Sequence, residues 1–212
     1  MYYPKRVKPR SHVDPVVASA RLTGFAGLGL LIGLFFEGLT LLSIRHFVVL
    51  HIIIGLFLIP LTLVKLGSVS FRFISYYTGN QRFKNAGPPV ALLRFIGPIV
   101  VVSTIVLFGS GIWLAFGGPS SYNSLASGLH KGSFVIWFGA MAIHVVGHIS
   151  ELPKTALSDW LTRTGKIAIA FGREHVPIKG ASARLALVVT SFALGIFLVL
   201  ATLKGASAWG SF

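Results

Sequence analysis

Residues 128 to 151 read GLHKGSFVIWFGAMAIHVVGHISE, a long apolar run that carries three histidines. At about 100° per residue, positions 14 and 18 apart on an α-helix lie within about 40° of one another, so His130, His144 and His148 share one face. At about 1.5 Å rise per residue, His130 and His144 are roughly 21 Å apart along the axis, which fits a hydrocarbon core of about 30 Å. Ionisable groups at membrane depth are costly and face the bundle interior. The stretch therefore predicts a transmembrane helix with a functional histidine stripe.

The composition predicts an integral membrane protein of the all-α class. Of the 212 residues 54% are hydrophobic and 11% charged, and the mean hydropathy is +0.80, which lies far from soluble globular proteins. There is no cysteine, so disulfides, Cys-ligated clusters and thiol nucleophiles are excluded, and any metal depends on His, carboxylate or Met. The net charge is +14, but the basic residues are scattered between apolar runs without a base-reading motif, and we expect no nucleic-acid partner.

Five apolar runs predict five transmembrane helices, at about 22–43, 46–68, 95–117, 129–150 and 184–205. The predicted organisation is a basic cytoplasmic N-tail (1–21), a four-helix bundle (22–150), a cytoplasmic interfacial loop (151–183), and a fifth helix with an external tail (184–212). The first run is too long for the apolar part of a signal peptide, and no small-residue cleavage site follows it, so we expect it to be retained.

The basic residues also predict the orientation. Only three of the 19 Lys and Arg fall on one side of this topology, namely Arg45, Lys131 and Lys204. Because cytoplasmic connections carry the excess of positive charge, the N-terminus is predicted inside and the C-terminus outside, in a bacterial plasma membrane. His51 and His130 then lie near the outer face, and His148 near the inner one.

His51 and His130 are the strongest candidate site. They come from different helices at one depth, and a faint internal repeat relates them: Gly38 or Gly111 closes an outgoing helix, and a Leu-His pair opens the returning one. Two neutral imidazoles on opposing helices suit the axial ligation of one haem iron. Small residues nearby, Gly55 and Gly132, would leave room for the macrocycle. The alternative is two outer-end histidines that bond to carbonyls or headgroups.

The inner leaflet allows three interpretations. Fourteen residues beyond His51 stands Lys65, where a second haem facing His144 would need a histidine. The site is a second haem with an unexpected ligand such as His12 or His175, or a quinone pocket, or a set of buried histidines satisfied by neighbours. A quinone carbonyl needs a hydrogen-bond donor that also delivers a proton. The candidate quinone contacts are Lys65, Arg72, His144 and Glu151. We expect Lys65 to keep its charge by extending to the interface.

Three further residues carry expectations. For Glu37, the only acid within a predicted span, three roles stay open: a hydrogen bond near the outer haem, relay of a proton outward, or capping at the interface. His46 lies some 140° from His51 on the helix and is predicted to face solvent. Pro60 is predicted to kink the second helix.

The pair His130 and His144, with His51 at the start of the second helix, resembles the four-helix b-type cytochrome subunits of formate dehydrogenases and nickel–iron hydrogenases. The resemblance covers about residues 22 to 150. It implies that His51 and His130 hold an outer haem b. It also implies an inner haem on His144 with a histidine from the first helix, which has none in this chain.

The sequence thus predicts a membrane cytochrome subunit with His51, His130, His144 and His148 as candidate cofactor residues and one bis-histidine haem b, a second being left open. We expect it to exchange electrons with the quinone pool and with a soluble or membrane redox subunit of a larger complex. A haem-free membrane anchor or assembly subunit is the alternative. A small transporter is disfavoured, because the spans hold few polar residues.

Overall fold

The computed structural model describes residues 14–87, 90–122, 124–157, 159 and 179–211, and these contain helices and turns but no strand. Seven α-helices are present in this part of the chain. They are α1 Pro15–Thr40, α2 Ile44–Tyr77, α3 Gln81–Asn85, α4 Ala91–Gly117, α5 Leu125–His148, α6 Leu152–Ala156 and α7 Ala181–Ser207. Short 3₁₀ turns occupy Leu41–Ser43, Pro119–Ser121 and Ala208–Ser211.

Four helical stretches of the described chain are long and apolar enough to cross a membrane. They are Pro15–Tyr77, Ala91–Gly117, Leu125–His148 and Ala181–Gly210. The first, of 63 residues, contains both α1 and α2, which pack against each other after the turn Leu41–Ser43. The all-α class is therefore confirmed, four stretches are long and apolar enough to span a membrane, and each of the five predicted runs contains a long helix.

The helix bounds differ from the predicted ones at two places. α1 begins at Pro15, inside the predicted N-tail, because the Asp14 carboxylate accepts the free N–H groups of Val16 and Val17, at 3.0 and 3.4 Å, and proline suits the first helical position. α2 continues to Tyr77, nine residues past its predicted end. Its backbone dihedrals stay helical at Pro60, and Phe47 is the one residue within it that leaves helical dihedrals; the kink at Pro60 stays a prediction.

The apolar core lies among α1, α2 and α7. Its buried members are Ala26, Leu30, Leu58, Leu61 and Val188. α7 approaches α2 so closely at Gly195 that an added Cβ would collide with the carbonyl oxygen of Phe57. The fifth helix therefore belongs to the core, whereas the sequence placed it outside the four-helix bundle.

α4 and α5 form a second packed hairpin beside this core, and α4 is the member that packs more extensively against α2. The indole of Trp137 on α5 donates a hydrogen bond of 3.0 Å to the Thr104 hydroxyl on α4, which satisfies a polar pair inside the hairpin. The molecule thus consists of a three-helix core and an adjoining hairpin.

Asp159 joins α1 and α7 at one end of the helices. Its carboxylate accepts from Arg21 Nη1 at 2.8 Å and from Arg184 Nε and Nη2 at 2.5 and 2.7 Å. Burial raises the pKa of Asp159, but the hydrogen bonds and positive charges of Arg184 and Arg21 outweigh it and hold the pKa below its usual range. We call this end the Asp159 end.

The described cations are distributed unequally between the two ends. The opposite end, where His51 and His130 lie, is called the histidine end, and it carries Arg45, Lys131 and Lys204 near the termini of α2, α5 and α7. The Asp159 end and the connections next to it carry the other described cations. These are Arg21, Lys65, Arg72, Arg82, Lys84, Arg94, Lys179 and Arg184.

Candidate functional site

The imidazole rings of His51 and His130 meet between α2 and α5. Their centres are 6.2 Å apart and their planes are inclined by 84°. Both side chains are half-buried. The two residues that the sequence singled out from separate helices at one depth are thus neighbours in the fold.

Two acceptors from α1 hold the His51 ring. Its Nδ1 lies 2.9 Å from the Thr40 hydroxyl and 3.1 Å from Oε1 of Glu37. The Thr40 hydroxyl donates its one proton to the Glu37 carbonyl oxygen at 2.6 Å, so it accepts from the His51 Nδ1–H. The neutral ring therefore carries its proton on Nδ1 and keeps the lone pair of Nε2 available.

The His130 ring is held in the same way by α4. Its Nδ1 lies 3.0 Å from the Leu107 carbonyl oxygen and 3.4 Å from the Ser110 hydroxyl. A carbonyl oxygen only accepts, so Nδ1 is the protonated nitrogen of this ring as well. Metal-binding histidines characteristically donate their second ring N–H to a carboxylate or a backbone carbonyl, which fixes tautomer and orientation. Both rings meet that condition.

The separation of the two rings fits a shared metal ion. A metal–imidazole bond is about 2 Å long and the bonding nitrogen lies about 1 Å from the ring centre, so two imidazoles on opposite sides of one ion place their centres about 6 Å apart. The observed 6.2 Å agrees with that value. Within the described ranges no three His, Cys, Asp or Glu side chains cluster as metal ligands. The two rings are therefore a pair of imidazoles that could hold a metal ion or a haem iron between them.

Two glycines lie next to the histidine pair and the side chains that contact it. A Cβ added to Gly111 on α4 would lie 3.1 Å from Cε1 and 3.3 Å from Nδ1 of His130, so the imidazole rests against the bare helix backbone. A Cβ added to Gly55 would lie 3.3 Å from Oε1 of Glu37. Gly132 faces open space within 4 Å. Of the two glycines named from the sequence, Gly55 thus borders the support of His51.

The two hairpins repeat one arrangement. In α1 the carboxyl-bearing Glu37 and, three residues later, Thr40 contact His51; in α4 Leu107 and, three residues later, Ser110 contact His130. The hydroxyl-to-histidine interval is 11 residues in the first hairpin and 20 in the second, a difference of nine. The sequence alignment of Gly38 with Gly111 gave a difference of six, so it was displaced by three residues, close to one helical turn.

Glu37 is the least symmetric part of the site. Leu107 contributes only its backbone where Glu37 contributes a carboxyl group, and Oε2 of Glu37 is buried without a hydrogen-bond partner. Of the three roles left open for Glu37, the contact with His51 is the one that the geometry supports. His46, in contrast, is exposed and bonds only to Ser43, at 2.9 Å, as its helical position predicts.

A second polar cluster lies 14 residues beyond His51 on α2 and beyond His130 on α5, at Lys65 and His144. The rings of His144 and His148 are 4.7 Å apart, and Nδ1 of His144 is buried with no hydrogen-bond partner in the described part of the chain. The positive charge of Lys65 is near enough to interact electrostatically with both rings. The charges of Arg72 and Glu151 interact in the same way with His148. The structure therefore brings the candidate quinone contacts to one end of the bundle, together with His148.

The Lys65 side chain is directed towards α1, and its extension to the membrane interface stays a prediction. Its Nζ donates to the Thr23 carbonyl oxygen on α1, at 3.3 Å, and lies against Gly27. The side chain crosses the α1–α2 contact and is half-buried. His12 and His175, the suggested ligands of a second haem, lie outside the described residues.

The sequence reasoning missed Thr40, Leu107, Ser110 and the supporting role of Gly111. Hydroxyl residues near the ends of α1 and α4 were the available signal, because an apolar helix end gains little from a Ser or Thr unless it bonds to something. The carbonyl of Leu107 has no sequence signal, since every residue carries one.

Comparison of the chain with protein families, with curated proteins and with solved structures gives no match. The function is therefore argued from the residues and their geometry.

Proposed function

We propose that this chain is a membrane b-type cytochrome subunit in which Nε2 of His51 and Nε2 of His130 bind the iron of one haem b. The observation that carries the proposal is the ring pair itself. The centres of the two imidazoles are 6.2 Å apart, and the hydrogen bonds of each ring fix its proton on Nδ1. Haem iron supplies one-electron transfer, and the protein supplies ligation, burial and orientation.

The residues around the rings have defined tasks in this proposal. Thr40 and Glu37 hold the His51 ring, while Leu107 and Ser110 hold the His130 ring, so neither imidazole has to be ordered when the cofactor enters. Each ring donates its Nδ1–H to an oxygen, which raises the basicity of the imidazole as an iron ligand.

The proposed electron partners are a membrane quinone and a redox subunit of a larger complex. The sequence contains no phosphate-binding glycine loop of the dinucleotide type, so a nicotinamide cofactor is not the expected donor. A quinone reaches the protein through the bilayer, and His144 with Lys65 is its proposed contact, supported by the unpartnered Nδ1 of His144. The charge asymmetry supports an N-terminus inside and a histidine end outside, in a bacterial plasma membrane.

The decisive test is haem quantitation on purified protein and variants. Wild-type protein is expected to show a redox-sensitive Soret band and α band, with about one haem per chain by pyridine haemochrome. His51→Ala and His130→Ala each lose the low-spin haem, because a single axial imidazole remains.

His46→Ala is the matched control, since this exposed histidine lies five residues from His51 and hydrogen-bonds to Ser43. It retains full haem content. A colourless wild-type preparation would favour the haem-free membrane anchor, and a bis-imidazole spectrum that survives either ligand substitution would reject the assigned pair.

A further inference from the structure

The histidine end presents exposed cations from three helices. Arg45 stands at the start of α2, Lys131 follows His130 on α5, and Lys204 lies in the last turn of α7. All three side chains are exposed. We call these three residues the basic rim.

The basic rim has no exposed carboxylate beside it in the described part of the chain. Glu37 is the described acid of this end, and its Oε1 is directed to His51. Asp14, Glu151 and Asp159 stand at helix termini of the opposite end. The surface at the histidine end is therefore positive without local compensation.

The rim lies at the end of the bundle where the proposed haem lies. Lys131 is adjacent in sequence to His130, and Arg45 is six residues, or about 9 Å of helix, from His51. The turn after α7 returns to α2, where a Cβ on Gly210 would lie 3.5 Å from Val49, so Lys204 belongs to the same rim. Large apolar and aromatic side chains are exposed among these cations, including Phe47 and Tyr122.

Electron-transfer partners form small, weak interfaces that are steered by complementary charge. We infer that the basic rim docks the acidic face of an electron-transfer protein or domain, which exchanges one electron with the haem at the histidine end. This inference rests on the proposed function. When the partner gives an electron, the partner is oxidised by one electron and ferric iron becomes ferrous; no atom is transferred.

The test uses the full chain in nanodiscs of zwitterionic phosphatidylcholine, so that both ends are accessible and the lipid adds no net charge. Reduced flavodoxin, an acidic one-electron carrier, is mixed with the ferric protein in a stopped-flow instrument, and the α band is followed at several salt concentrations. A basic c-type cytochrome is used as a second probe, because its surface charge is opposite in sign to that of flavodoxin.

The rim variant is Arg45→Glu, Lys131→Glu, Lys204→Glu, and the double variant without the Lys131 change guards against an effect on the neighbouring His130. The matched control reverses three exposed cations of the other end, Arg82→Glu, Lys84→Glu, Arg94→Glu. Both triple variants change the net charge by the same amount, so the control isolates position from total charge.

At low salt the rim variant is expected to be reduced by flavodoxin at least about tenfold more slowly than wild type, within the range of electrostatic steering, while the control variant stays within about twofold. The difference shrinks as salt rises, since screening shortens the reach of the charges. The basic cytochrome shows the reverse order.

Flavodoxin binding to the same nanodiscs is measured in parallel and needs no haem. A colourless protein that still binds flavodoxin through the rim would reject the proposed function and keep the docking surface. An equal loss of reduction rate in the rim and control variants would overturn the inference. Reduction rates and flavodoxin binding that do not change with rim charge would also overturn it, and the cations would then be assigned to contacts with lipid headgroups.

Discussion

Gly111→Ala is the substitution that tests the geometry of the site most directly. The added Cβ would lie 3.1 Å from Cε1 of His130, whereas carbon atoms pack best at about 3.5 to 4.0 Å. The ring must therefore shift by about half an ångström, and a binding geometry tolerates only about 0.5 Å before it fails. We expect the variant to bind haem about tenfold more weakly, which corresponds to about 1.4 kcal/mol.

Gly132→Ala provides the comparison, because a Cβ at that position meets nothing within 4 Å. Each exchange adds about 1 kcal/mol of helix propensity, so the two variants share that contribution and differ in the contact with His130. The assay is haem titration of apoprotein, followed at the Soret band, with the midpoint potential as a second readout. If Gly111→Ala bound haem as tightly as Gly132→Ala at an unchanged potential, the His130 ring would not rest on α4 as described.

The remaining predictions concern Glu37 beside the His51 ring, the Asp159 end, and His144. Glu37→Gln removes the carboxylate bond to His51 and is expected to raise the midpoint potential and weaken haem binding by about 10- to 100-fold, measured by redox titration and haem titration. Asp159→Asn leaves two buried arginines without their counter-ion and lowers the melting temperature at neutral pH. Because the pKa of Asp159 is depressed in the folded protein, its stabilisation is present above the unfolded pKa and is lost as the pH falls through the folded one, so the wild type approaches the variant on acidification. His144→Ala is expected to slow oxidation by quinone and leave haem content at one per chain; loss of half of a two-haem content would contradict this.

The helices and the histidine pair could be predicted from the sequence because both depend on local periodicity. Apolar length fixes a span, and a 3.6-residue repeat fixes which residues share its face. His51 and His130 followed from depth alone, since each stands a few residues inside the start of a returning helix. Glu37 was noticed for the same reason, as a single acid within an apolar run.

The supports of the two rings depend on helix register, which the sequence does not determine. The glycine-based alignment of the hairpins was displaced by three residues, and that displacement moves Thr40 and Ser110 away from the histidines they contact. The role of α7 was missed for a related reason. Its apolar residues surround the helix, so the pattern does not say which face packs, although Ser191 and Gly195 mark the side that lies against α2.

The residues at matching positions along α2 and α5 explain why the two ends of the bundle need not hold the same cofactor. Seven residues beyond the histidine pair the helices present Leu58 and Trp137, both buried, and 14 residues beyond it they present Lys65 and His144. A haem at the level of Lys65 and His144 would need a nitrogen lone pair from each residue. The Lys65 amine instead donates a hydrogen bond to the Thr23 carbonyl oxygen on α1. Nδ1 of His144 has no hydrogen-bond partner among the described residues, and a ligand oxygen could accept one hydrogen bond from it. The repeat thus favours one metal site at the histidine end and a hydrogen-bonding site beneath it.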